Sequence, residues 1–213
     1  MISLQILCSG TPTPSEIRWG SAYALKMGDG WLMFDCGPAA TYKLIKSGIS
    51  PLDVSHLFFT HHHSDHDADY ACFLLSRFDM SIGKEPDLKV YGPPPTRTLT
   101  EKLIGEKEGA YWHDFVARTN HPLSLWAYQN RGGNLPRKIP KVHATDIESG
   151  ESINGPDWTI ECSRVEHVQP YLDSLAYRVN TDKGSIVFSG DTRPCQSLVE
   201  LAEGCDVLIM ECI

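Results

Sequence analysis

Eight consecutive residues constrain this chain most: Thr60-His61-His62-His63-Ser64-Asp65-His66-Asp67. Val54 to Phe59, just before them, is apolar and rich in β formers, which predicts a buried strand. Ala68 to Phe78, just after, reads as a helix, so the histidines sit where a strand hands over to a helix. Side chains two apart on an extended strand point the same way, so His61 and His63 can face one point while His62 turns away. Asp65 and His66 follow on the turn and can face a second point close by. Imidazole nitrogen and carboxylate oxygen are ligands that Zn²⁺ accepts, and a catalytic site needs about three of them plus an open position. Adjacent histidines can also form a solvated loop or an adventitious metal tract. Such a tract seldom ends a buried strand with an aspartate and a fourth histidine in step.

Further along, His167 ends the strand-like run Trp158 to Val165, and Asp191 ends the run Ser185 to Phe188. Each repeats the first arrangement, a ligand-capable residue at a strand's C-terminal end, where sites gather in layered α/β folds. Taken singly, His167 reads as a structural histidine and Asp191 as a helix cap.

The motif His61-x-His63-x-Asp65-His66, followed in order by His167 and Asp191, resembles the signature of the metallo-β-lactamase superfamily. The opening also resembles the superfamily's ribonuclease Z and arylsulfatase-like branch: a strand at Leu4 to Leu7, a loop from Gly10-Thr11-Pro12, and a hairpin ending in Phe34-Asp35-Cys36-Gly37. The resemblance implies an α/β fold, the αβ/βα four-layer sandwich of two mixed β-sheets. It implies that His61, His63 and His167 bind a first zinc ion, that Asp65 and His66 bind a second, and that Asp191 bridges the two. A hydroxide shared between two zinc ions would be the nucleophile, with Asp65 placed as the catalytic proton acceptor. Asp35 is expected beside the histidine loop, orienting it. His at position 63, rather than the Glu of the superfamily's oxygen-reducing di-iron relatives, favours zinc hydrolysis over redox chemistry.

The chain departs from the pattern in three ways. No histidine follows His167, although the branch takes a last ligand for the second metal from beyond a strand like Asp206 to Glu211; the chain therefore reads as a fragment lacking its C-terminal part. Only a hairpin separates His167 from Asp191, where short bacterial ribonuclease Z carries a tRNA-gripping arm. Asp69 stands where a glycine commonly follows the motif.

The remaining length fits one domain of 213 residues with an insertion at about 105–141. From Phe115 to Thr145 there is no Asp or Glu, while Arg118, Arg131, Arg137, Lys138 and Lys141 are interleaved with Trp126 and Tyr128. Its Gly and Pro residues predict a long basic loop near the mouth of the site, favouring an anionic substrate or serving as a homodimer contact. Net charge is −8, which argues against a whole-surface nucleic-acid binder. Seven scattered cysteines, never in a C-x-x-C pair, fit a reduced compartment. No signal peptide or membrane span is evident, so the cytoplasm is the expected location. The sequence thus predicts a zinc hydrolase acting on a small phosphodiester, sulfate ester or carboxylic ester. Two alternatives stand beside it: tRNA 3′-end processing, and a non-catalytic zinc-stabilised binding module.

Overall fold

The computed structural model describes residues 3–13 and 15–211. Two mixed sheets form. The first has six strands in chain order: β1 (Ser3–Ser9), β2 (Ser21–Met27), β3 (Gly30–Phe34), β4 (Val54–Phe58), β5 (Leu88–Gly92) and β6 (Val142–Asp146). Its first two pairings are antiparallel and its last three parallel. The second runs β11-β10-β9-β8-β7, built from β7 (Ser152–Asn154), β8 (Trp158–Arg164), β9 (Leu175–Thr181), β10 (Gly184–Phe188) and β11 (Val207–Ile209). Only β10 and β11 pair in parallel there.

Alternation along the strands builds the layers, because successive side chains take opposite faces. Leu32 and Phe34 of β3 and Phe58 of β4 meet Ile160, Tyr177 and Phe188 of the other sheet. Phe34 stacks on Phe188 with ring centroids 4.0 Å apart. Each such buried aromatic contributes about 2 kcal/mol through the water it sheds. The alternate residues Met33 and Leu57 face outward, onto Leu44 of α1 (Ala40–Lys46) and Phe73 of α3 (Tyr70–Met80). Val187 of β10 packs on Leu198 of α7 (Gln196–Ala202). Helices therefore cover both outer faces, and the four-layer expectation holds.

Local differences from expectation have physical causes. The helix expected over Ala68 to Phe78 is α3, starting at Tyr70, and a short unforeseen helix, α2 (Ser64–Asp67), precedes it, with Asp69 between them. Asp69 N–H donates to Cys36 O at 3.0 Å, and its Oδ2 accepts from Thr41 N at 2.6 Å, which satisfies a first-turn amide of α1. The aspartate that replaces glycine here thus ties two helices together. Helix α4 (Thr96–Ile104) has no side-chain cap; Thr96 Oγ1 instead donates to Pro93 O and meets His62.

The basic segment is helical in its first half, while residues 131–141, with most of its cations, form the loop expected. The helical half is α5 (Trp112–Asn120) and α6 (Pro122–Asn130), separated at His121, whose extended backbone is what a residue before proline prefers. The segment packs on the last turn of α3. Arg118 bonds Asp79 and Asp114, and Arg131 lies 3.5 Å from Asp79. The Arg137 guanidinium lies 4.4 Å from the Phe78 ring centre and 4.9 Å from that of Tyr128, and donates to Phe78 O at 2.9 Å. Asp79 is nine positions beyond Tyr70, about 14 Å of helix rise. These arginines attach the segment to the fold; they do not line the mouth of the site, contrary to the expectation from sequence. No helix among the described residues is long and apolar enough to cross a membrane.

Candidate metal centre

The site forms at one edge of the sandwich, where β3, β4, β8 and β10 end. Beyond β4, Thr60 to His63 run across the edge before α2 begins. His61 Nε2 and His167 Nε2 each lie 3.1 Å from His63 Nδ1, so three imidazole nitrogens converge from two loops. On the other side of His61, His66 Nε2 lies 3.1 Å from Asp191 Oδ1 and 3.6 Å from Asp65 Oδ2. The donor atoms of His61, His63 and His167 all fall within 4.8 Å of one another, as do those of His61, His66 and Asp191. Asp65 stands beside these sets rather than within them; its Oδ1 is buried with no hydrogen-bond partner. His62 turns away as expected, held by Asp67 and Thr96.

Asp35 sits beneath the cluster with φ of +57°, a left-handed conformation that aspartate tolerates better than most residues. Its Oδ2 accepts from His66 Nδ1 at 2.8 Å, and its Oδ1 accepts from Thr60 N at 2.7 Å. Two residues on, the backbone must pass Asp65 closely. A Cβ at Gly37 would lie 1.9 Å from Asp65 O, so only glycine fits there.

The electrostatics divide the site. Burial, reinforced by the neighbouring rings of His66, His63 and His167, holds His61 neutral. Burial alone would also keep His66 neutral, but Asp35 and Asp191 overcome it and push that ring up to about 10. Burial lifts the Asp65 carboxyl against the pull of His66, whereas hydrogen bonding to His66 and its charge outweigh burial at Asp191 and lower its carboxyl. Lone-pair nitrogens that face one another at 3.1 Å and a buried orphan carboxylate oxygen are the chemistry of a cation site. The donor set fits a divalent metal.

Two residues that sequence reasoning passed over join the site. Thr60 is a hydrogen-bonding hub, and Glu211 accepts from Thr192 N. Glu211, Asp65 and Asp191 border a cleft of about 470 Å³ that runs under the Gly10 to Thr13 loop to Arg18.

A two-sheet sandwich with imidazoles and carboxylates gathered at its strand ends defines a metallohydrolase. Residues 20–202 match the metallo-β-lactamase superfamily. The chain belongs to that superfamily and is a metal-dependent hydrolase. Ribonuclease Z of Mycobacterium bovis is 28% identical over 215 residues, covering 98% of this chain and 69% of that protein. Ribonuclease Z of Mycobacterium avium is 29% identical with the same coverage. Among solved structures, the metallo-β-lactamase fold protein YhfI of Bacillus subtilis aligns with a TM-score of 0.71 at 18% identity, over 97% of this chain and 70% of that one. The short form of human tRNase Z aligns at 0.64 and 19% identity, over 98% and 76%. A diphosphatase from the PhnP family aligns at 0.66 and 16% identity, over 98% and 73%. These structures share the fold.

Proposed function

We propose that the chain is a zinc-dependent phosphodiesterase. His61, His63 and His167 would hold one zinc ion, and His66 and Asp65, with Asp191 beside them, would hold a second. The observation that carries this reading is the pair of donor sets sharing His61 within 4.8 Å, beside the unpartnered Asp65 Oδ1. Zinc, when bound, supplies Lewis acidity and brings the pKa of a water molecule close to neutral. The protein's own groups do the rest. Asp65 Oδ1 is free to accept the proton of an attacking water. Asp35 fixes the His66 ring through Nδ1, leaving Nε2 directed at the carboxylates. The cleft toward Arg18 receives one arm of the substrate and offers it a cation and the loop's hydroxyls.

Of the three ester classes that the sequence allows, the phosphodiester is supported by the similarity to ribonuclease Z, since the backbone of RNA is a chain of phosphodiesters. The same similarity also supports a second reading, tRNA 3′-end processing. Against it stands the engagement of Arg118, Arg131 and Arg137 in internal contacts, which reduces the basic surface available to hold RNA. Six free cysteines among the described residues fit a reducing, cytoplasmic setting. The deciding experiment offers the zinc-loaded protein bis(4-nitrophenyl) phosphate and a precursor tRNA. Turnover of the small diester, abolished in Asp191→Ala, is expected. Turnover of the precursor tRNA alone would replace this reading with tRNA processing.

A further inference from the structure

Thr60 touches the loops that carry Asp35, His66, His167 and Asp191. It is 2% exposed and immediately precedes His61. Its amide donates to Asp35 Oδ1 at 2.7 Å, and its hydroxyl lies 3.1 and 3.0 Å from the two Asp35 oxygens. The same hydroxyl lies 3.1 Å from His61 Nδ1 and 3.3 Å from His66 Nδ1. Its carbonyl accepts from Leu175 N at 2.8 Å, where the loop carrying His167 returns to β9. A Cβ at Gly190 would lie 2.7 Å from Thr60 Cβ, so the residue before Asp191 packs directly against this side chain.

Hydrogen counting fixes how the hydroxyl is used. A threonine has one hydrogen to donate and two lone pairs to accept with. An ionised carboxylate only accepts, so the Thr60 hydrogen goes to Asp35. The His61 Nδ1–H can then donate to the Thr60 oxygen, and that leaves His61 Nε2 bare toward His63. The His66 Nδ1–H takes the nearer Asp35 Oδ2, at 2.8 Å. One aspartate thus sets His66 directly and His61 through a single hydroxyl.

We propose that Thr60 is the positioning residue that couples the two halves of the metal centre: its hydroxyl relays Asp35 to His61, so that both rings present Nε2. This rests on the reading of His61 and His66 as zinc ligands. Thr60→Val keeps the branched shape against Gly190 but removes the relay; Thr60→Ser keeps the relay but loses the methyl group. Zinc retention is measured by competition with a chromogenic chelator. Thr60→Val is expected to bind zinc roughly tenfold or more weakly, the usual effect of removing a partner behind a ligand, and Thr60→Ser to stay close to wild type. Long-range ¹H–¹⁵N spectra of the zinc-loaded wild type are expected to show His61 protonated on Nδ1. Retention in Thr60→Val equal to wild type, an equal loss in both variants, or a His61 protonated on Nε2 would each overturn the relay. If Thr60→Val fails to fold, the serine variant and the spectra still decide. A wild type that binds no zinc would instead remove the ligand reading beneath it.

Discussion

Asp35 lies buried beneath the cluster, and His66 shows the consequence. The ring is pushed up to about 10 because Asp35 and Asp191 outweigh its burial. In metal-free protein, Asp35→Ala should bring that titration down, read by NMR, and should weaken metal retention about 10- to 100-fold. An unmoved His66 would remove Asp35 from its role. His56 behaves in the opposite sense. Burial, with a smaller effect from Lys89, lowers it to about 4, against about 6.5 in an unfolded chain. The unfolded chain binds that proton first, so His56 contributes stability that is full above pH 6.5 and lost as pH falls toward 4. His56→Phe should therefore flatten the fall of the urea midpoint between pH 7 and 4.5, and an unchanged slope would contradict this. Much of the site was legible at this scale, since His61, His63, His66, His167 and Asp191 announce themselves by residue type and spacing. Thr60 did not, because a threonine after a strand is ordinary until its five partners are seen in space.

Helices α5 and α6 show what the sequence hid. The cations of α5 and of the loop after α6 read as a ligand surface, yet Arg118 and Arg137 bond to the end of α3. The Gly and Pro residues suggested a loop there, but Pro122 sits in the first turn of α6, where proline is tolerated. The two arginines should differ in weight. Arg118 is half-exposed, so Arg118→Ala should cost about 0.5–1 kcal/mol in urea unfolding. Arg137 is buried, stacked on two rings and bonded to a helix-end carbonyl, so Arg137→Ala should cost about 2–3 kcal/mol. Neither change should alter turnover of a small diester, and a large loss of activity in Arg118→Ala would return the segment to the site. The short strand β7 was also unforeseen, because three residues carry too little alternation to read.

At the scale of the whole molecule, both sheets end at the same edge, and that shared edge is what lets residues from position 35 to position 211 meet. The strands feeding the site were legible as apolar runs rich in β formers. Their order and parallel pairing became definite only with the layers assembled. A net charge of −8 and internally engaged arginines predict that RNA binds weakly, with a shallow dependence on salt; a steep dependence would mean a phosphate-gripping surface elsewhere on the protein. The central claim is that this edge holds two metal ions, one on His61, His63 and His167 and one on His66 and Asp65, with Asp191 beside both sets. Its most direct test is elemental analysis of zinc in purified, dialysed protein, beside the Asp191→Ala variant. The account predicts two zinc ions per chain, with loss from the second site in the variant. One zinc ion or none in the wild type would contradict it.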